Sequence, residues 1–77
     1  RGRGYATEAV SLLIDYVFHT LGLAAVRGST LAHNDRMQRV FEKNGFVLTG
    51  DGSLLSRYDN RRYTELFYER REEDHKP

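Results

Sequence analysis

The chain has 77 residues, twelve of them basic and eleven acidic, with a net charge of +1 and no cysteine. That length holds one small domain with a modest core, the missing cysteines exclude disulfides and thiolate metal sites, and near-neutral charge argues against broad electrostatic capture of nucleic acid or membrane. No apolar run approaches the roughly 18 to 20 residues that span a bilayer, no signal-peptide pattern opens the chain, and the absence of cysteine fits a cytoplasmic protein.

The first predicted element is a helix from Tyr5 to about Leu21. Ala6, Ala9, Val10, Leu13, Ile14, Val17, Phe18 and Leu21 follow the i, i+3, i+4, i+7 series of one apolar face. Gly22 then supplies a C-terminal stop, and His19 suits the negative end of the helix dipole. "AAVRGSTL" at 24–31 reads as a strand in which Gly28 is a bulge or weak point.

Asn34 is a good N-cap for a second helix, with Asp35 at its positive end, Lys43 at its negative end and Gly45 as the terminating residue. Met37, Val40 and Phe41 form its apolar stripe. A strand begins over Phe46–Thr49, "GDG" at 50–52 reads as a turn, and "SLLSRY" resumes extended structure before a second turn at "DN". Arg62–Glu69 is rich in β-formers and is followed by a charged tail, "RREEDHKP", expected to fray.

The expected fold class is therefore α/β, a mixed α+β sheet in the order helix-strand-helix-strand-strand. One domain covers residues 1–77, with 72–77 as its frayed tail. The first helix opens where the chain begins, and only short strands lie downstream to cover its apolar face. A strand usually precedes such a helix in an α/β arrangement, so the chain is expected to be the C-terminal part of a larger domain.

The opening "RGRGYA" carries the chemistry. A helix's first turn leaves backbone N–H groups without intrahelical partners, near a partial positive charge. Gly2 and Gly4 ahead of it let an anion approach the backbone, and Arg1 and Arg3 add charge-assisted contacts. The same residues also suit a plain turn into a buried helix with solvated arginines. A dinucleotide fingerprint fails because Thr7 stands where its third glycine belongs, and no acidic residue follows in "GLAAVRG". A P-loop fails for want of Gly-Lys-Ser/Thr.

The pattern that remains resembles the GNAT acetyltransferase superfamily. Arg1, Gly4 and Ala6 match the defining positions of its Gln/Arg-x-x-Gly-x-Gly/Ala motif, and "NDRMQRVFEKNGF" is similar to its second signature. The tail from Gly45 looks like the paired last strands of the branch that acetylates ribosomal-protein N-termini and some antibiotics. The resemblance runs from Arg1 to about Glu72 and implies a C-terminal portion of an acyl-CoA N-acyltransferase fold.

It also implies acetyl-CoA as co-substrate and an amine acceptor, on a protein N-terminus or a small molecule. Backbone amides around Arg3 to Ala6, Gly4 and Tyr5 among them, would hold the pyrophosphate of coenzyme A, with Gly2 beside them in the binding site. Arg1 would flank it and Thr7 would add a hydroxyl. Asn34 would face the pantetheine arm as well as cap its helix, and Phe41 is expected with it among the cofactor-binding residues. Arg39 and Lys43 would either reach the nucleotide end or remain solvated.

The family reaction is direct attack of the amine on the thioester, through a tetrahedral intermediate. Many members carry a tyrosine at the position of Phe41 to protonate the leaving thiolate, and the N-terminal-acetylating branch often has a serine at the position of Met37. Neither donor is present, so no catalytic residue is assigned. Their absence also keeps open a non-catalytic coenzyme A-binding module, or a structural half-domain that needs a partner chain.

Weaker features point nowhere definite. His19, His33 and His75 lack metal-ligand spacing, so no metal is expected. "RYDNRRY" reads as a solvated hairpin tip in preference to a nucleic-acid contact. Tyr58, Tyr63 and Tyr68 fit cross-strand packing, with room for one of them to border an acceptor pocket. Exposed sheet edges would allow a homo-oligomer.

Overall fold

The computed structural model describes residues 4–72. Helix α1 spans Tyr5–Asp15 and runs on as a π-helical turn, Tyr16–Thr20. Strand β1 covers Ala25–Leu31, helix α2 Asp35–Lys43, strand β2 Val47–Leu55 and strand β3 Arg62–Arg71. The order is the expected one, and the three strands form one sheet, β1-β3-β2, antiparallel throughout.

In the β1–β3 pair, Val26 faces Arg70, Gly28 faces Tyr68 and Thr30 faces Leu66. Opposed residues share a face, and both helices pack on this one. The core joins Ile14, Val17 and Phe18 of the first helix to Phe41, Phe46 and Tyr68, with Val10, Val26, Met37 and Leu66 packed around them. Phe41 stacks on Tyr68 at a ring separation of 4.7 Å and leans on Phe46 at 4.9 Å. The far side of the sheet is polar at its end, where Glu69 bridges Arg27 at 3.1 Å and Arg71 at 3.7 Å.

Several expectations change. The first helix reaches the predicted length, but its last turn widens: the Leu21 amide bonds the Tyr16 carbonyl five residues back, at 3.0 Å. Gly22, at φ +68°, then ends it, a conformation glycine adopts without a Cβ penalty. The apolar face is also narrower than the periodicity suggests. Val10, Ile14, Val17 and Phe18 turn to the core, while Ala6, Ala9, Leu13 and Leu21 are exposed. With Tyr5, Leu12 and Tyr16 also exposed, α1 carries a second apolar side pointing away from the sheet.

"GDG" is not a turn. Gly50, Asp51 and Gly52 pair with Phe67, Leu66 and Glu65 inside β2, and the irregularity sits one residue earlier. Thr49 is the extra residue between Leu48 and Gly50, and its hydroxyl donates to the Phe67 carbonyl at 3.2 Å. Bulges of this kind absorb turn-like residues without breaking a strand. Gly28, by contrast, is no bulge, because the β1–β3 register passes through it unbroken. Nor does the charged tail begin at Arg70: Arg70 and Arg71 belong to β3, and Arg70 is 7% exposed, its guanidinium 5.7 Å from the Phe18 ring centre. Residues 73–77 of the expected frayed tail lie outside the described residues.

Candidate functional site

Two helix N-termini are treated differently by this chain. Asn34 caps α2 as expected: its side-chain oxygen accepts the Met37 amide at 3.0 Å. Gly4 caps α1 with no side chain, and its carbonyl accepts the Glu8 amide at 2.9 Å. The amides of Tyr5, Ala6 and Thr7 therefore lie in a first turn that, among the described residues, has no side-chain cap and no intrahelical acceptor for them.

The glycine at position 4 is not demanded by the fold. Its φ is −90°, which any residue adopts, and a Cβ built there meets nothing within 4 Å. A side chain at position 4 would thus meet no described atom, beside amides that have no intrahelical acceptor. Tyr5 and Ala6 are exposed and Thr7 is half-buried. Arg1, Gly2 and Arg3 lie outside the described residues.

Asn44 ties this end of α1 to α2. Its Nδ2 donates to the Thr7 carbonyl at 3.2 Å and to the Val40 carbonyl at 3.0 Å. The negative end of α2 thus meets the positive end of α1, a favourable dipole arrangement. Gly45, at φ +80°, turns the chain out of α2 directly against Arg70. A cleft of about 310 Å³ opens beside this junction, lined by Ser11, Asp15, Lys43, Asn44 and Arg70 among others.

Asn34 stands at the other end of α2, roughly 15 Å from Asn44 at the usual helical rise. It is exposed, and the turn leading to it is held by Gln38, whose Nε2 donates to the Ala32 carbonyl at 2.6 Å. Phe41 does not share that exposure. It is 6% exposed and belongs to the core, its ring against Gly28 on β1. Arg39 and Lys43 are exposed on α2, as expected of its polar side.

A second cleft, of about 480 Å³, adjoins the Asn34 end and was only partly legible beforehand. Leu31, His33, Leu54, Arg57, Asp59 and Tyr63 are among its walls. The Tyr63 hydroxyl donates a short hydrogen bond to Asp59, whose other oxygen accepts the Arg61 amide at 3.1 Å. The Tyr63 bond is the main reason the Asp59 carboxyl is held below its ordinary range, and the same bond raises the Tyr63 phenol. Tyr58 and Tyr63 both line this cleft, whereas Tyr68 is buried, and burial raises its phenol first, with Glu42 adding to it. Among the described residues no group of three His, Cys, Asp or Glu side chains is placed to hold a metal. Nor is any described helix long and apolar enough to cross a membrane.

An αβαββ unit whose first helix is led by a glycine with no side-chain cap is the class of protein these features define. The family described as acetyltransferase (GNAT) domain matches residues 1–47. The chain belongs to the GNAT acetyltransferase family. It is 44% identical over 49 residues to the probable N-acetyltransferase YjcK of Bacillus subtilis, covering 64% of this chain and 27% of that protein.

Among solved structures, a GNAT-family acetyltransferase from Bacillus anthracis superposes with a TM-score of 0.82 at 28% identity, over 91% of this chain and 42% of that one. Ribosomal-protein-S5-alanine acetyltransferase from Vibrio fischeri superposes with a TM-score of 0.84 over all of this chain and 42% of that one; at 22% identity this likeness speaks for the fold. The chain therefore spans less than half the length of these relatives.

Proposed function

We propose that the chain forms the coenzyme A-holding part of an acetyl-CoA-dependent N-acetyltransferase that acts on an amine. The observation that carries this reading is the first turn of α1, led by Gly4 with no side-chain cap and with no described atom within 4 Å of a Cβ built there. The amides of Gly4, Tyr5, Ala6 and Thr7 bind the pyrophosphate, with Gly2 and Arg3 completing the loop and Arg1 supplying charge, as the family motif implies. Acetyl-CoA, when bound, supplies the activated acetyl thioester, and coenzyme A is its leaving thiol.

The α2 helix sets the length of the site. Thr7 is pinned to its C-terminal end by Asn44, and Asn34 stands at its N-terminal end. A ligand held at both points must be extended, as a pantetheine arm is. Asn34 bonds that arm beside its capping role, and Phe41 supports the site from within the core by fixing α2 against β1.

Calorimetric titration with coenzyme A tests the reading. Binding is expected, and Gly4→Val, which adds a side chain there without touching the core, is expected to weaken it about tenfold or more, the equivalent of about 1.4 kcal/mol. Equal affinity in the variant overturns the assignment.

A second reading has its own support. Phe41 and Met37 bring no hydroxyl to α2, and β1 lies at the sheet edge. A non-catalytic module, completed by a partner strand or a second copy, fits both facts. Thiol release from acetyl-CoA in the presence of primary amines separates it from the enzyme.

A further inference from the structure

The cleft at the Asn34 end of α2 gathers His33, Arg57, Tyr58, Asp59 and Tyr63, titratable side chains that the coenzyme A reading leaves unused. We infer that His33 is the proton shuttle of acetyl transfer, taking a proton from the acceptor amine and delivering it to the departing thiolate. This rests on the coenzyme A reading above.

Position is the first argument. His33 immediately precedes Asn34, the residue assigned to the far end of the pantetheine arm, and it lines the 480 Å³ cleft together with apolar Leu31 and Leu54. Such a lining offers apolar surface for the body of an amine in the same cleft as the imidazole. The second argument is support. The His33 ring centre lies 5.7 Å from that of Tyr63, tilted by 55°, and Tyr63 is itself fixed by its hydroxyl bond to Asp59.

The third argument is need. Acetyl transfer forms an N–C bond and breaks a C–S bond, while one proton must travel from nitrogen to sulfur. Phe41 and Met37 carry no O–H, so neither of the two positions that carry a hydroxyl in relatives supplies one here. Imidazole both accepts and returns a proton near neutral pH, so a single residue closes the cycle without any further reactant. His33 is exposed and can also exchange with water. The charged or titratable groups around it are Arg57, Tyr58, Asp59 and Tyr63 of the hairpin, Glu65 opposite Leu31, and Asp35 opening α2.

The test uses the whole protein that carries this chain, acetyl-CoA, and three probe amines: 2-phenylethylamine, spermidine and a peptide with an N-terminal alanine. His33→Gln is expected to leave acetyl-CoA affinity unchanged, to lower kcat/KM about a hundredfold, and to remove the acid limb of its pH profile. Added imidazole is expected to restore part of the rate in His33→Ala. A His33→Gln enzyme that keeps both rate and acid limb overturns the shuttle while leaving the coenzyme A reading intact. So does a wild-type protein that binds acetyl-CoA yet releases no thiol with any probe. A wild-type protein that binds no acetyl-CoA overturns both.

Discussion

Gly28 is the seat of Phe41: a Cβ at Gly28 would lie 2.8 Å from the ring's Cζ and 2.9 Å from Cε1. The ring cannot retreat, because Tyr68 stacks on one side of it and Phe46 leans on the other. Strand β1 cannot retreat without losing its pairing to β3. Gly28→Val is therefore expected to destabilise the fold by about 1–3 kcal/mol, the usual cost of overpacking. Phe41→Leu removes the offending ring atoms, so in urea unfolding the double variant should lose less than the two single variants together. Additive losses would show that Gly28 serves something other than this contact.

Asn34 has two proposed duties, and they can be separated. The bond to the Met37 amide is a cap, and Asn34→Ala should cost about 1 kcal/mol of stability. Asn34→Asp retains a capping oxygen but replaces the amide NH2 with a carboxylate. It should hold the thermal midpoint close to that of the parent and still weaken acetyl-CoA binding severalfold. If Asn34→Asp binds as the parent does, Asn34 is a cap and nothing more.

The bond from Asn44 to Thr7 gives a third expectation. This side chain joins the end of α2 to the first turn of α1, so it sets the spacing between the two ends of the proposed ligand. Asn44→Ala removes two side-chain hydrogen bonds and should lower stability by about 1 kcal/mol, or up to twice that. Coenzyme A affinity should fall in parallel, although Asn44 is assigned no contact with the ligand. Calorimetry and thermal unfolding on the same variant read the two effects.

Much of this architecture was legible in the residues, because it is local. Gly22 and Gly45 end helices, Asn34 caps one, and the apolar stripe of α2 lands on the core. What escaped depends on partners distant in sequence. "GDG" looks like a turn until Phe67, Leu66 and Glu65 pair with it. Gly28 looks like a weak point until a ring from α2 is seen to fill its missing side chain. Arg70 looks like the start of a solvated tail, yet β3 carries it between Gly45 and Phe18.

The candidate site divides along the same line. The glycine-led first turn was readable from its motif, whereas the His33–Tyr63–Asp59 cluster joins residues from a turn, a strand and a hairpin tip. Only the tyrosine spacing and the "DN" turn hinted at it.

That cluster makes the last prediction one of pH. Tyr63 donates to Asp59, which stabilises the ionised carboxyl and the neutral phenol together. The carboxyl is lowered, so its contribution to the fold is present above the ordinary carboxylate value of about 4 and is lost as pH falls through the folded one. The phenol is raised, so its contribution is present below about 10 and is lost as pH rises through the folded value. The hairpin tip should hold together between these limits and loosen outside them on both sides. In Asp59→Asn the acceptor charge is gone, and the Tyr63 phenol should titrate closer to free tyrosine. Carbon-13 shifts of the Tyr63 ring followed with pH in both proteins measure this directly. An unchanged titration in Asp59→Asn would mean that Asp59 does not hold Tyr63 in solution, and His33 would then lack the fixed wall it leans on.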